Sequence, residues 1–188
     1  MKIAQLRKSD ISNGTGIGIS IWTQLCPYRC EGCHNASTWS ADGGKDLIQE
    51  DIDKFLALLD NQYITRLSIL GGEPLLPQNT ADLALLIHNV KTRRPDVKTW
   101  LWTGTTFEDL YKLVFLRKES NDTILNKLGW NNKNLADLAY ILNQLDYMID
   151  GRFIQEQKDL TLKFRGSKNQ RWLDMKKSIA AGQAISAD

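Results

Sequence analysis

Cys26, Cys30 and Cys33 are the only cysteines in the chain, all within CPYRCEGCHN and followed at once by His34. An odd number of clustered thiols does not suit a disulfide framework and points to metal ligation or redox chemistry. One reading is a tetrahedral zinc site completed by His34. Zinc motifs, however, normally draw ligand pairs from two separated knuckles, and adjacent Cys33 and His34 would struggle to ligate one small ion together. An iron–sulfur cube is larger, and its corners can accept thiolates from one short looping segment. Three thiolates would leave one iron of a [4Fe-4S] cluster without a protein ligand. An open coordination position is where a substrate or cofactor binds. Pro27 and Gly32 suit the tight turning such a loop needs.

Other stretches could do chemistry near that loop. In Gly71-Gly72-Glu73-Pro74 the missing Cβ atoms let backbone approach a ligand closely, although a simple turn has the same composition. Gly14, Gly16 and Gly18 have the wrong spacing for a dinucleotide loop and fit a turn or close approach better. Asp150, before Gly151, could bind a cation or a cofactor ribose, or be an ordinary turn aspartate. Arg165 and Arg171 could hold a carboxylate through forked hydrogen bonds, or be solvated surface residues. His88 sits among hydrophobic helix neighbours and reads as structural.

These residues need elements to position them. Ile17, Ile19 and Ile21 alternate with small residues, which predicts a strand ending just before the cysteine loop. Ile48, Ile52, Phe55, Leu56 and Leu59 recur at helical spacing. ITRLSIL predicts a strand running into Gly71, and Leu83, Leu86, Ile87 and Val90 predict a helix limited by Pro95. VKTWLW predicts a strand leading to Thr103. Thr105 with Glu108 predicts a capping box for a helix from about Phe107 to Lys118. LADLAYILNQL reads as a helix, LDYMID as a strand, and about 167–180 as a final helix capped by Ser167.

Strands alternating with amphipathic helices predict an α/β fold with a largely parallel sheet. A closed eight-fold barrel typically takes about 250 residues, so a partial (open) β/α barrel suits a single domain of 188. The cysteine loop, GGEP, WTGT and IDGRF all fall where strands should end, the place where α/β sites collect. Net charge is +2, with 42% hydrophobic and 24% charged residues, so a nucleic-acid partner is not expected. No apolar run approaches the roughly 18 residues that cross a bilayer, and MKIAQLRKSD lacks a signal core. A cytoplasmic protein without membrane contact is the expectation.

The spacing Cys26-x3-Cys30-x2-Cys33 resembles the cluster motif of radical S-adenosylmethionine enzymes. Gly71-Gly72-Glu73-Pro74 resembles that superfamily's second signature, which implies contact with the amino group of the cofactor's methionyl moiety. Further matches narrow the likeness. Cys33-His34-Asn35 with Ser37-Thr38-Trp39, the stretch Trp102 to Glu108, Asp150-Gly151-Arg152-Phe153, and Phe164 to Arg171 are similar to the activating proteins of anaerobic ribonucleoside-triphosphate reductases. The resemblance covers about residues 13–175 and is weak between about 118 and 145. It implies an open radical S-adenosylmethionine barrel and a [4Fe-4S] cluster on Cys26, Cys30 and Cys33. Cofactor-binding residues would be Gly71, Gly72, Glu73, Pro74, Thr103 and Asp150, with His34 beside the cluster or adenine. The implied activity is reductive cleavage of S-adenosylmethionine to a 5′-deoxyadenosyl radical that installs a glycyl radical on the reductase. The implied partners are that reductase and a one-electron donor such as flavodoxin or a thioredoxin-linked system. An activase of another glycyl-radical enzyme, such as pyruvate formate-lyase, and a zinc-stabilised binding module are the alternatives. Three departures stand out: Gly18 stands where the family usually has an arginine, Gly32 stands, as in this activase subgroup, where many superfamily members have an aromatic residue, and 118–133 reads as an insertion.

Overall fold

The computed structural model describes residues 1–116 and 127–188. The 118–133 stretch read as an insertion therefore lies mostly outside the described residues, as does the end of the helix expected at Lys118. Seven strands form one mixed sheet in the order β3-β1-β2-β4-β5-β6-β7. They are β1 (Lys2–Asp10), β2 (Ile17–Thr23), β3 (Lys45–Asp46), β4 (Ile64–Gly71), β5 (Lys98–Trp102), β6 (Tyr147–Asp150) and β7 (Arg171–Asp174). The described helices are α1 (Gln49–Ala57), α2 (Thr80–Arg93), α3 (Phe107–Phe115), α4 (Asn132–Gln144) and α5 (Met175–Ala181).

Strands β2, β4, β5 and β6 are parallel and lie side by side in chain order. Right-handed crossovers between successive neighbours place every connecting helix on the same face of a sheet. Period-2 alternation sorts the side chains accordingly. Ile19, Ile21, Leu67, Ile69, Leu101, Met148 and Leu173 join the core with the helices. Trp22, Leu70 and Trp102, which have the opposite parity, line a cavity on the other face.

The edges differ from the expected parallel sheet, because β1, β3 and β7 are antiparallel. Strand β1 carries no apolar alternation: Ile3 and Asp10 are its only buried residues, since most of it is exposed edge. The final helix expected over 167–180 begins only at Met175, because 171–174 pair with β6 instead. Its N-cap is Asp174, not Ser167. The Ser167 hydroxyl instead accepts from the Ile154 N–H and donates to Asn169. The cap of α3 is likewise shifted: the Thr106 side chain accepts from the Asp109 N–H. A reciprocal Asn131–Asn134 capping box, unforeseen in the sequence, starts α4.

Two of the spaced glycines, Gly14 ahead of β2 and Gly18 within it, accommodate Arg66. A Cβ at Gly14 would lie 2.6 Å from Arg66 Cδ, and one at Gly18 would lie 2.7 Å from Arg66 Nε. The Arg66 guanidinium is wholly buried and donates to the Asp10 carboxylate, to the Asp10, Thr15 and Gly16 carbonyls, and to the Ser68 hydroxyl. At Gly18, where the family resemblance leads one to expect an arginine, the space is thus filled by a guanidinium from the neighbouring strand. His88 is exposed rather than packed, and its Nδ1 contacts the Tyr140 hydroxyl.

Candidate active site

The four parallel strands end in four loops that converge on one cavity of about 590 Å³. Cysteines 26, 30 and 33 all line it, together with His34, Gly71, Gly72, Glu73, Thr103 and Gly104. Pro74 is buried and does not line it, and Asp150 borders a second cavity of about 500 Å³ next to it. The sequence-predicted residues therefore come together except for those two.

The cysteine loop is held on both sides. The main chain of Gly72 donates to the Thr23 carbonyl at 2.8 Å, and that of Glu73 to the Leu25 carbonyl at 2.8 Å. This carries the β2–β4 pairing one step past the strand ends, up to the residue preceding Cys26. The returning chain adds Leu25 N–H to Thr38 carbonyl at 2.8 Å. Leu25, Arg29 and Gly32 have positive φ (79°, 45° and 69°), the cost of winding three cysteines into eight residues. A Cβ at Gly32 would lie 2.0 Å from Gln155 Oε1, so the segment after β6 packs directly on the loop at the place left by the absent aromatic.

Tyr28, which sequence reasoning missed, is the loop's third attachment. Its hydroxyl meets the Thr105 hydroxyl at 2.5 Å, and its ring covers Gly104, where a Cβ would approach to 2.4 Å. The Arg152 guanidinium lies 4.3 Å from the centroid of the Tyr28 ring. Only the position of Tyr28 between two cysteines could have hinted at this role.

The cysteines are free thiols, and their sulfurs receive main-chain donors. The Asn35 N–H points at Cys33 Sγ at 3.4 Å. Burial pushes the Cys26 and Cys30 thiols up, opposed at Cys26 by the N–H groups of Tyr28 and Arg29 and at Cys30 by that of Phe153. Donors of this kind stabilise the thiolate, the form that binds metal, so the donor set fits an iron–sulfur cluster. Among the described residues no three His, Cys, Asp or Glu side chains converge closely enough for a single metal ion.

Glu73 is 2% exposed and joins two of the loops. Its Oε1 accepts from the Leu75 N–H and the Thr103 hydroxyl, and Oε2 from the Gly104 N–H, at 2.8–3.0 Å. Burial pushes its carboxyl up, against the pull of these three donors. Asp150 is also engaged: it accepts from the Phe107 N–H at 2.7 Å and from both Nε and Nη2 of Arg171. Arg171 in turn forks onto Glu108 at 2.9 and 2.7 Å, which holds the Glu108 carboxyl down, while Asp150 and then Glu108 hold the Arg171 guanidinium up. Arg165 pairs with Asp188 at 2.8 Å. The two arginines foreseen as carboxylate binders do bind carboxylates, but those of this chain.

The family described as a 4Fe-4S single cluster domain matches residues 12–173, most of the chain. The anaerobic ribonucleoside-triphosphate reductase-activating protein of Vibrio cholerae is 37% identical over 172 residues, covering 90% of this chain and 96% of that protein. This chain belongs to the same family. The activating protein of Haemophilus influenzae is 34% identical, covering 90% of this chain and 96% of its own. That of phage T4 is 33% identical, with 91% and 92% covered. Family membership supports an iron–sulfur site, and the three cysteines facing one cavity are the thiols this chain offers for it. No described helix is long and apolar enough to cross a membrane.

Proposed function

We propose that this chain is a radical S-adenosylmethionine activase that installs a glycyl radical on an anaerobic ribonucleoside-triphosphate reductase in the cytoplasm. The observation that carries the reading is the convergence of Cys26, Cys30 and Cys33 with the Gly71–Glu73 and Thr103–Gly104 loops on one cavity. The one-sided helical layer over four sequential parallel strands supports an open β/α barrel of the radical S-adenosylmethionine type. When bound, the cluster and S-adenosylmethionine would supply an electron and a 5′-deoxyadenosyl radical that removes a glycine Cα hydrogen.

The chain's own residues bind, orient and shield. Cys26, Cys30 and Cys33 would hold three irons of the cluster and would leave the fourth for the cofactor. Gly71 and Gly72 let main chain approach the methionyl end; a Cβ at Gly71 would collide with the backbone of Trp22 and Thr23 in β2, and one at Gly72 with that of Leu25, just before Cys26. Glu73 and Thr103 keep the two loops in register around that end. His34 edges Phe153 in the cavity wall, with ring centroids 6.3 Å apart, where it would flank the cluster or the adenine. Asp150 acts indirectly, by holding Arg171 and the start of α3. The electron comes from a donor such as flavodoxin or a thioredoxin-linked system.

Anaerobic reconstitution tests the reading. The expected protein is brown and holds about four irons and four sulfides. Its reduced electron paramagnetic resonance spectrum changes on adding S-adenosylmethionine. Replacing any one of the three cysteines by Ala abolishes cofactor cleavage, because the chain has no fourth cysteine to substitute. A colourless protein with one zinc refutes the chemistry. Radical formation on pyruvate formate-lyase but not on the reductase refutes the partner.

A further inference from the structure

The two most exposed large apolar residues among the described ones are Ile11, at 77%, and Leu160, at 75%. Scattered apolar residues on a surface need no explanation. Both, however, belong to connections that reach the same cavity. Leu160 lines it directly, and Ile11 immediately precedes Ser12 and Asn13, which line it too. Ile11 lies in the β1–β2 connection and Leu160 in the β6–β7 connection, on opposite sides of the parallel core.

Both connections are rigidly built. The Ser12 and Asn13 N–H groups donate to the Asp10 carboxylate, and the Asn13 carbonyl accepts from the Ser68 hydroxyl at 2.6 Å. In the β6–β7 connection, the Lys158–Ser167 bridge and the Asp159 N–H to Gly166 carbonyl bond clip the base of a loop. The Asp159 carboxylate turns the next residues by accepting from the Thr161 N–H and hydroxyl. Phe164 then nails the loop down: its ring packs on Trp100 and Trp172, and its carbonyl accepts from Trp102 Nε1 at 2.9 Å. Two aliphatic side chains are thus exposed to water on hydrogen-bonded supports. Preorganised apolar contacts lose little entropy on binding, and this is how rigid recognition elements work.

We propose that Ile11 and Leu160 are specificity-determining residues that grip the polypeptide substrate at the cavity mouth. The inference rests on the proposed activase function, in which a glycine Cα must reach the cavity. The occupant is a loop of the reductase that enters between the two connections, with apolar side chains flanking the reacting glycine and seated against Ile11 and Leu160. A small substrate confined to the cavity would give neither residue a partner.

The test uses the reconstituted full-length protein with Leu160→Asp, Ile11→Asp, the double variant and Leu160→Met. Glycyl radical is counted by electron paramagnetic resonance as reductase concentration is varied, alongside iron content, S-adenosylmethionine affinity and sedimentation velocity. Each Asp variant should raise KM for the reductase about tenfold, the loss typical of a central apolar contact. Iron content and cofactor affinity stay at wild-type values, and Leu160→Met restores most of the KM. An unchanged KM in the double variant overturns the inference. So does altered self-association with unchanged KM, which would make the rim a contact between two copies, or lost cofactor affinity alone, which would place the residues in the cofactor site. If the wild-type protein binds cluster and cofactor yet forms no radical on the reductase, the activase reading itself fails, whatever the variants do.

Discussion

Replacing Gly71 by Ala tests whether the glycine pair sets the position of the cysteine loop. Gly71 has φ +111°, and a Cβ there would lie 2.6 Å from Thr23 N, 2.7 Å from Thr23 O and 2.9 Å from Trp22 C. All three atoms belong to the backbone of β2, so no side chain can swing away. The backbone conformation alone costs about 1–2 kcal/mol for a residue with a side chain, and the overlap adds about 1–3 kcal/mol. Gly129 provides the control. Its φ is +83°, but its nearest neighbours are Pro77 side-chain atoms at 3.7 Å, so only the conformational cost applies. Urea unfolding of the iron-free protein under reducing, anaerobic conditions should show Gly71→Ala about 1–3 kcal/mol less stable than Gly129→Ala. Because Thr23 and Leu25 lead straight into Cys26, the Gly71 variant should also take up less iron on reconstitution. Equal destabilisation by the two substitutions, with full iron in both, would refute the coupling.

Tyr28→Phe removes the Tyr28–Thr105 hydrogen bond and keeps the ring on Gly104, so a loss of about 0.5–1.5 kcal/mol is expected. An unchanged Tm would show that the hydroxyl does not anchor the loop. Arg66→Met removes the buried counter-ion of Asp10 and the donor to the Asp10, Thr15 and Gly16 carbonyls, at a cost of about 3–5 kcal/mol by denaturant unfolding. A near-neutral variant would contradict the structural role given to the spaced glycines. Glu73 has a folded pKa above its usual value of 4.5, so the folded state binds the proton more tightly than the unfolded state does. Its contribution to stability is fully present below about 4.5 and is lost as pH rises through the folded value. Stability profiles of wild type and Glu73→Gln should therefore diverge over that window, and parallel profiles would count against the raised pKa.

The helices and central strands could be read from the sequence wherever burial was one-sided and sustained. Leu83, Leu86, Ile87 and Val90 mark the inner face of α2, and Ile19 and Ile21 the core face of β2. Strands β1 and β7 could not be read this way. The first is mostly exposed edge, and the second is a four-residue strand whose pairing partner, β6, ends 21 residues before it begins. The Thr105–Glu108 pair satisfies a capping rule on paper, yet each side chain has a better partner elsewhere: Tyr28 for Thr105 and Arg171 for Glu108.

Residue type and local spacing were enough to single out the three cysteines as candidate ligands, because three thiols in one short loop restrict the chemistry whatever surrounds them. The same holds for the strand-end position of each candidate loop, which periodicity and turn residues reveal locally. The duties of the remaining residues depended on contacts between segments far apart in the chain. Asp150, open to cation or ribose in the sequence, is occupied by Arg171 and the start of α3. Glu73 proved to be a brace between β4 and β5, and Gly18 the space that admits Arg66. A buried charge or an omitted Cβ takes its meaning from whatever fills the volume beside it, and only the tertiary structure decides that.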